Sequence, residues 1–517
     1  MLETAISGEV NLKDPDRTTD VPFNQEIELL FSHPLNTETI NTNSIKLSTT
    51  GNQVDISFSF QDKNRKVVIN SLSPLDHFSK YFLYVSNSVM GENKEKFQGF
   101  ETEFYTALDS LPKFENISDV ELLNLVQKQT FKYFWDFGHP TSGMARERNT
   151  SGDVVTSGGT GFGLMSLLVG INRGFITRNE GVARIEKIVD FLSLADRFHG
   201  AWPHWMNGVT GETVPFSPKD NGGDLVETAF LVNGLLTVRQ FLDPLNADEL
   251  QLIDKLNGLW EEVEWDWYTR DGEKKLYWHW SPEFNWDMNM PIQGYNEALI
   301  VYVLAASSPT HAIDAEVYHQ GWARNGDMVN NKTYYDLVLP LGFEYGGPLF
   351  FAHYSFLGLD PRNLQDTYAN YWTQNLHHSL INKAYCVDNP LNYVGYSGKM
   401  WGLTASDNHE GYSAHSPTND LGVITPTAAI SSLPYTPENS MEAIRFFYYT
   451  LGDKLWGDYG FYDAINITEG WVADSYLAID QGPIVVMIEN YRTGMLWDLF
   501  MSCPEIPRGL QLLGFQY

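Results

Sequence analysis

Residues 220–236 read Asp-Asn-Gly-Gly-Asp-Leu-Val-Glu-Thr-Ala-Phe-Leu-Val-Asn-Gly-Leu-Leu. Two glycines lead into a run that is apolar on nearly every face, which predicts a buried helix starting near Gly223. On that helix Asp224 and Glu227 lie one turn apart on one face, with Asp220 in the loop before them. Because three neighbouring carboxylates cannot all ionise cheaply, we expect at least one pKa to rise. The plainer interpretation is that one of these acids is an N-cap that complements the helix dipole.

The pattern of a glycine or small residue followed by a strongly apolar helix recurs along the chain. Its starts lie near Gly158, Gly222, Ile292, Gly346, Ile424 and Asp480. Amphipathic helices alternate with them, at Ser118–Phe137, Asn179–Asp196, Ala247–Glu262, Ala312–Trp322, Leu364–His377 and Pro437–Leu451. A helix that is apolar all round must be buried, whereas its amphipathic partner buries only one stripe. The alternation predicts a mainly α domain, an (α/α)6 barrel; an irregular helical bundle is the alternative.

The first part of the chain has a different period. Alternating apolar and polar residues predict strands at 26–31, 45–48, 54–60, 66–70 and 81–85, and the segment 103–106 closes this part of the chain. Their spacing of roughly 10 to 20 residues predicts an antiparallel Ig-like β-sandwich over residues 1–107. A linker at 108–117 and the helical domain at 118–517 would follow. Since the sandwich carries no group of acids and no exposed aromatic cluster, we expect a spacer or scaffold role rather than sugar binding.

Two insertions interrupt the helical pattern. Residues 264–280 alternate apolar and polar side chains around Asp271-Gly272, which predicts a β-hairpin. Residues 399–415 form a long polar segment before an apolar helix, and loops of that length in a compact domain are usually functional.

Composition excludes several classes of protein. A chain of 517 residues exceeds what one core usually supports, so two domains are expected. The net charge is −31 and no basic cluster exists, so nucleic acid and anionic membranes are poor partners. Two cysteines provide neither a disulfide framework nor a zinc motif. No apolar run is long enough to span a bilayer.

Further acids occur at other predicted helix starts, at Glu297 and Asp480. All such starts face one mouth of the barrel, so these acids should converge with the first three. Paired carboxyls suit hydrolysis of a glycosidic bond, because one protonates the leaving oxygen and the other activates water. An inverting pair stands roughly 6.5–9.5 Å apart and a retaining pair near 5–5.5 Å, and two acids one helical turn apart cannot easily straddle a sugar ring. We therefore expect Glu297 to be the general acid, with the first cluster supplying a base or a water relay. The predicted catalytic set is Asp220, Asp224, Glu227, Glu297 and Asp480.

Aromatic residues interleaved with polar ones could stack on sugar rings. The predicted substrate contacts are Trp202, His204, Trp205, Tyr295, Trp401 and His409. Trp205 and Trp401 are the strongest of these because each lies in a polar, glycine-containing loop; the alternative for any single Trp is a place in the core. We expect no metal and no cofactor, although the acid cluster could instead bind Ca²⁺. A non-catalytic glycan-binding protein would use the same aromatic residues without the carboxyls.

The residues also carry a resemblance to a known family. The motifs are Thr160-Gly-Phe-Gly163, Trp202-Pro-His-Trp205, Asp220-x3-Asp224-x2-Glu227, Gln293-Gly-Tyr-Asn-Glu297 and Asp480-Gln-Gly-Pro483. From residue 118 onward the chain resembles the bacterial endo-β-1,2-glucanases, which are inverting (α/α)6 glycoside hydrolases within the glucoamylase-like domains. The segment before it resembles bacterial Ig-like modules. The resemblance implies cleavage of β-1,2-linked glucose polymers, with the five acids acting in catalysis or binding. The glucoamylase label leaves α-glucan cleavage as the alternative, and endo or exo action stays open.

Location and assembly are expectations only. A glucan polymer is met outside the cytoplasm, so we expect export to a bacterial periplasm or cell surface, with a signal segment absent from this chain. The expected partner is a glucan oligo- or polysaccharide, and the expected state is a monomer.

Overall fold

The computed structural model describes residues 1–517, which divide into two compact units. The N-terminal unit comprises Met1–Lys113 together with two short later segments, Tyr393–Gly395 and Ile465–Val472. The helical unit comprises the rest: Phe114–Asn392, Tyr396–Ala464 and Ala473–Tyr517. No helix combines the length and the apolar character needed to cross a membrane.

The N-terminal unit contains two sheets. Its strands are β1 (Leu2–Ser7), β2 (Val10–Asn11), β3 (Thr18–Val21), β4 (Ile27–Phe31), β5 (Ile45–Ser48), β6 (Ile56–Gln61), β7 (Lys66–Ser71), β8 (Lys80–Val85) and β9 (Phe100–Thr106). One sheet has the order β2-β1-β4-β7-β6 and the other β3-β9-β8-β5, with only β3 and β9 parallel. In β4 the alternate residues Ile27, Leu29 and Phe31 are buried, as a strand with one core face requires. The predicted all-β Ig-like fold is confirmed. The sequence interpretation missed β1, β2 and β3.

The helical unit contains all of the α-helices. They are α1 (Asp119–Trp135), α2 (Ser157–Asn172), α3 (Arg178–Leu192), α4 (Leu225–Phe241), α5 (Ala247–Glu261), α6 (Leu299–Ser307), α7 (Tyr371–Asp388), α8 (Pro426–Ser431), α9 (Pro437–Arg445), α10 (Gly452–Leu455), α11 (Ala478–Thr493), α12 (Met495–Met501) and α13 (Glu505–Leu512). Short strands decorate the loops: β10 (Val154–Thr156), β11 (Trp205–Asn207), β12 (Thr213–Val214), β13 (Gly223–Asp224), β14 (His279–Trp280), β15 (Val329–Tyr334), β16 (Leu337–Leu341), β17 (Ala405–Asn408), β18 (Gly411–Ala414), β19 (Trp456–Gly457) and β20 (Gly460–Phe461). The last two strands, β21 (Ile465–Asn466) and β22 (Trp471–Val472), belong to the N-terminal unit.

The apolar helices pack side by side in the middle of this unit. Helix α11 contacts α2 and α8, α2 contacts α4, and α4 contacts α6. A 3-10 turn at Tyr354–Leu357 contacts both α6 and α11. Amphipathic helices α1, α3, α5, α7 and α9 alternate with them along the chain. The predicted mainly helical domain is confirmed, and its order of helices is consistent with an (α/α)6 fold.

Glycine allows two of the central helices to approach closely. A Cβ on Gly161 of α2 would lie 2.1 Å from the carbonyl oxygen of Phe230, and a Cβ on Gly234 of α4 would lie 2.4 Å from the carbonyl oxygen of Gly161. Real side chains never pack that tightly, so α2 and α4 are in backbone contact only because both positions are glycine. This close contact brings the first turn of α4 against the first turn of α2.

Three predicted elements are wrong in detail. The predicted hairpin at 264–280 is a 3-10 turn at Trp267–Thr269, and β14 pairs with β13 instead. Trp265 and Tyr268 are both buried, and their spacing of three is that of a helical turn, not of a strand. The predicted helix Leu364–His377 begins only at Tyr371, because Asn370 caps it by accepting from the N–H of Thr373. Where a helix was predicted after Gly346, two 3-10 turns at Leu349–Ala352 and Tyr354–Leu357 are found.

Candidate active site

A cleft of about 300 Å³ opens at the N-terminal ends of the central helices. Trp205, Phe216 and Tyr412 supply aromatic surface to it. The polar lining comes from Glu147, Arg148, Thr156, His204 and Glu227. Aromatic faces next to a few charged groups are suited to a sugar, whose ring stacks while its hydroxyl groups form hydrogen bonds.

Asp224 is the N-cap of α4. Its Oδ1 accepts hydrogen bonds from the backbone N–H groups of Val226 (3.0 Å) and Glu227 (2.9 Å). Its Oδ2 accepts from Nδ1 of His204 (3.0 Å) and from Nε1 of Trp278 (3.1 Å). The side chain is buried and all of its accepting capacity is used. Asp224 therefore starts the helix and orients its neighbours, which agrees with the plainer interpretation of this acid.

His204 is the cation of the cluster. Burial alone would lower its pKa, but the carboxylates of Glu227, Asp224 and Asp220 outweigh burial and raise the pKa to about 9. At neutral pH the ring is thus protonated and both of its nitrogens donate. One donates to Asp224, and the ring itself lines the cleft.

Glu227 is in the first turn of α4, and its side chain reaches the start of α2. Its Oε2 accepts from the backbone N–H of Gly158 at 2.8 Å and from Oγ1 of Thr156 at 3.3 Å. A Cβ on Gly158 would lie 2.5 Å from this oxygen, so only glycine allows the approach. Burial raises the pKa of Glu227, and the nearby His204 cation partly opposes that rise. The expectation that one carboxyl of the cluster has a raised pKa is confirmed.

Asp220 is held beside a histidine that the sequence interpretation did not select as a site residue. Pairing of β13 with β14 sets Asp224 opposite His279, and Nε2 of His279 lies 3.0 Å from Oδ1 of Asp220. His279 is 2% exposed. The short strand pair thus fixes the loop acid against the first turn of α4.

Glu297 precedes α6 by two residues and is half-buried. Burial raises its pKa to about 7, with further contributions from the negative charges of Glu227 and Asp224. A carboxylic acid that is still protonated near neutral pH can donate its proton to a leaving oxygen.

Asp480 occupies the first turn of α11 and is 3% exposed. Neither of its carboxyl oxygens has a hydrogen-bond donor. Burial raises its pKa well above the usual value, and the neighbouring carboxyls of Asp463 and Asp407 raise it further. This environment is the opposite of that of Asp224.

Tyr354 lies close to several of the acids, and the sequence analysis did not select it. Its buried hydroxyl has no hydrogen-bond partner, and burial together with the charges of Asp480, Glu227 and Glu297 raises its pKa far above the usual value. The ring packs between Phe162 and Phe230. Three of the five acids predicted to converge, Glu227, Glu297 and Asp480, therefore lie close enough to this one buried tyrosine to act on its pKa. No sequence signal identified it, because it lies in a 3-10 turn rather than at a regular helix start.

The predicted aromatic contacts divide into two groups. His204 and Trp205 line the cleft, and Phe216, which was not predicted, stacks on His204 with ring centroids 4.2 Å apart. Trp202, Tyr295 and Trp401 are at most 1% exposed, which favours the alternative of a place in the core for these three. Their aromatic bulk fills the core between helices. His409 is exposed in the turn between β17 and β18, and its role stays a prediction.

One group of side chains has the composition of a metal site. A nitrogen of His204 and oxygens of Asp220 and Asp224 lie within 4.8 Å of one another. However, both oxygens of Asp224 already accept two N–H donors each, and a protonated His204 offers no lone pair. The donor set therefore fits a hydrogen-bonded network better than a Ca²⁺ site.

This chain is similar to proteins of known family and known structure. The Glycoamylase family model, which describes a glucoamylase, matches residues 289–504, and the model of a bacterial Ig-like domain matches residues 11–106. An endo-β-1,2-glucanase from Chitinophaga pinensis, whose structure has been solved, is 55% identical to this chain. The match covers 78% of this chain and 99% of that chain, with a TM-score of 0.76. The chain belongs to the bacterial family of endo-β-1,2-glucanases and glucoamylase-like proteins.

Two relatives come from Parabacteroides distasonis. One is a β-1,2-glucanase with a crystal structure, which is 37% identical to this chain. The match covers 99% of this chain and 73% of that chain, with a TM-score of 0.76. A curated exo β-1,2-glucooligosaccharide sophorohydrolase that acts at the non-reducing end is 47% identical over 418 residues. That match covers 76% of this chain and 58% of the relative, so the chain spans little more than half of the relative's length.

Proposed function

We propose that this protein is an inverting glycoside hydrolase that cleaves β-1,2-linked glucose polymers or oligomers. The observation that carries the proposal is the environment of Glu297, whose carboxyl has a pKa of about 7 beside the cleft acids. Relatives in the same family act on β-1,2-glucans, which supports this linkage over an α-glucan. The helical domain at 118–517 would carry the activity, with the linker at 108–117 and the Ig-like sandwich at 1–107 as a spacer.

Glu297 acts as the general acid. Its proton passes to the glycosidic oxygen as the C1–O bond breaks, and a water oxygen bonds to C1 from the opposite face. Asp480 is the better of two candidates for the base that receives the proton of that water, because both of its buried oxygens lack a donor. Glu227 is the other candidate, but one of its oxygens already accepts from Gly158.

The remaining groups bind and orient the sugar. Asp224 holds His204 in place, and the protonated ring donates to substrate hydroxyl groups from the cleft wall. Trp205 and Phe216 meet edge to face with centroids 4.8 Å apart and present apolar surface to a sugar ring. Asp220, whose Oδ1 lies 3.0 Å from Nε2 of His279, completes the charge that keeps His204 protonated.

The test is incubation with linear β-1,2-glucan, with products followed over time by chromatography. Sophorose alone from the first minutes identifies exo action, and a ladder of oligosaccharides identifies endo action. Proton NMR of the first product gives the anomeric form, which must be inverted. Hydrolysis of starch instead of β-1,2-glucan would establish the α-glucan alternative, and binding without hydrolysis would establish a glycan-binding protein.

We also propose that the protein works as an exported monomer in the periplasm or at the cell surface. Its substrate is a polymer met outside the cytoplasm, and its first domain matches an Ig-like module. Fractionation of the native bacterium with an antibody against this chain tests the location, and light scattering tests the assembly. Recovery in the cytoplasmic fraction, or as a dimer, would refute the corresponding statement.

A further inference from the structure

A second acidic cluster lies behind Asp480. Asp463 follows β20 and is 3% exposed. Its Oδ2 accepts from the backbone N–H of Asp407 at 2.7 Å. The carboxylate of Asp407 in turn accepts from Nη1 of Arg148 at 2.9 Å and from Oγ of Ser475 at 2.6 Å. Asp407 is thus a charged, fully held carboxylate, and Asp463 lies between it and Asp480.

The carboxyl oxygens of Asp463 and Asp480 that have no donor indicate that this pair holds a proton. The carboxyls of Asp463 and Asp480 are in hydrogen-bond contact. With both ionised, Oδ1 of Asp463 and both oxygens of Asp480 are buried without any donor. Buried acceptors without donors are strongly disfavoured, and two touching carboxylates also repel each other. A single proton between the two groups removes both costs and leaves the pair with one negative charge.

We propose that Asp463 is a positioning residue for Asp480: the two buried carboxyls share one proton, and this shared proton orients Asp480 as the base. The proposal rests on the function proposed above. When water attacks C1, its O–H bond breaks and its proton goes to the singly charged pair, which becomes neutral. Glu297 has meanwhile given its proton to the leaving oxygen. One proton then moves from the pair to Glu297 by exchange through solvent, which restores the starting state.

The charged and titratable groups that act on the pKa values of the pair fit this assignment. Arg148 from the loop before β10 and Asp407 from β17 form an ion pair on one side, with Glu147 bonded to the same arginine. Tyr354 and Tyr412 contribute neutral hydroxyls on the cleft side, since burial and, after it, the surrounding acids raise both of their pKa values. Burial and the Asp407 charge raise the pKa of Asp463 to about 7, while the backbone N–H of Asp407 opposes the rise. The environment therefore favours one retained proton at neutral pH.

The test is the variant Asp463→Asn beside the variant Asp463→Leu, both measured by the pH dependence of kcat. The amide oxygen can still accept from Asp407, and the amide N–H can donate to Asp480, so the variant imitates a protonated Asp463. In Asp463→Asn the acid limb of the profile should therefore stay close to that of wild type. Asp463→Leu has no group that can donate to Asp480, so the buried Asp480 carboxylate loses its donor, its pKa rises, and the acid limb should move to higher pH by about one unit or more. The alkaline limb, set by Glu297, should not move. The exposed Asp458→Asn is the matched control and should leave both limbs in place. An acid limb that stays in place in a folded Asp463→Leu protein, or that moves as far in Asp463→Asn as in Asp463→Leu, would overturn the proposal.

A second measurement needs neither turnover nor the Asp463 variants. At neutral pH the infrared C=O band of protonated carboxylic acids should lose the intensity of one group in Asp480→Asn, and keep it in Asp458→Asn. An unchanged band would overturn the shared proton. The two proposals can fail separately. If the wild-type protein hydrolyses no glucan, the proposed function fails, while the infrared band still decides whether the proton is shared.

Discussion

Asp224 and Asp480 occupy equivalent places and have opposite environments. Each is a buried aspartate at the N-terminal end of a central helix, α4 for one and α11 for the other. Asp224 accepts four hydrogen bonds, whereas Asp480 accepts none at its side chain. A carboxylate with four donors is stable as an anion and reacts poorly with a proton, but one with no donor binds a proton readily. The comparison therefore separates a residue that builds the site from one that performs chemistry in it.

The largest effect is expected from Glu297→Gln. Glutamine has nearly the same shape but no acidic proton, so the rate should fall by at least about 10²-fold while the fold is kept. Glu227→Gln should cost a similar factor, because Glu227 lies in the same group of cleft acids. Turnover of a confirmed substrate gives the rate, and circular dichroism gives the fold.

Glu186→Gln on the protein surface is the control for these two variants and should turn over normally. Near wild-type turnover in both Glu297→Gln and Glu227→Gln would mean that this set of acids is structural. The catalytic pair would then have to be sought at Ser406–Glu410, the segment that contains Asp407.

The same substitution should have different effects on the free energy of unfolding at the two aspartates. In Asp224→Asn an NH2 group replaces one carboxylate oxygen. If it replaces Oδ2, it faces the N–H groups of His204 and Trp278, so at least one buried donor is left unpaired. We expect a loss of about 1–3 kcal/mol in the free energy of unfolding. Asp480→Asn leaves the single negative charge of the pair on Asp463 and lets the new amide donate to it, so the free energy of unfolding should stay about the same while the activity is lost. Urea unfolding of both variants beside wild type measures this, and equal destabilisation would erase the distinction.

A third effect concerns pH. Because the raised pKa of Glu297 lies at about 7, the group is protonated below that pH and ionised above it. A general acid must be protonated, so kcat should fall on the alkaline side, with a midpoint near pH 7 and about tenfold per unit beyond it. A profile of kcat against pH in buffers of constant ionic strength tests this. An alkaline limb that remains in Glu297→Asp but moves would support the assignment, and a flat profile to pH 9 would refute it.

Fold and acids were accessible from sequence for physical reasons. A fully apolar run beside a glycine predicts a buried helix, and Asp224, Glu227 and Asp480 all lie at or near the start of such a helix. Positions that depend on contacts between distant segments were not accessible. Tyr354 reaches the acids from a 3-10 turn, and Asp463 reaches Asp480 from a loop after β20.

Aromatic residues show the same limit. Trp202 and Trp205 stand three positions apart in one motif, yet Nε1 of Trp202 donates to the carbonyl of Leu192 inside the core while Trp205 lines the cleft. Local sequence places both in a polar loop. Only the path of the chain, with β11 paired to β10, decides which ring faces the cleft.

The smallest expected effect follows from this last contrast. Trp205→Ala removes one stacking face of the cleft, which is worth about 0.5–1.5 kcal/mol beyond area, so KM should rise about two- to tenfold. Since stacking on a sugar ring contributes equally before and during the reaction, kcat should change little. Trp401→Phe is the matched aromatic control: the residue is completely buried, so its replacement should lower the free energy of unfolding and leave KM unchanged. Steady-state kinetics with β-1,2-glucan on both variants decides the matter. A rise in KM for Trp401→Phe with none for Trp205→Ala would mean that the cleft described here is not where the glucan binds.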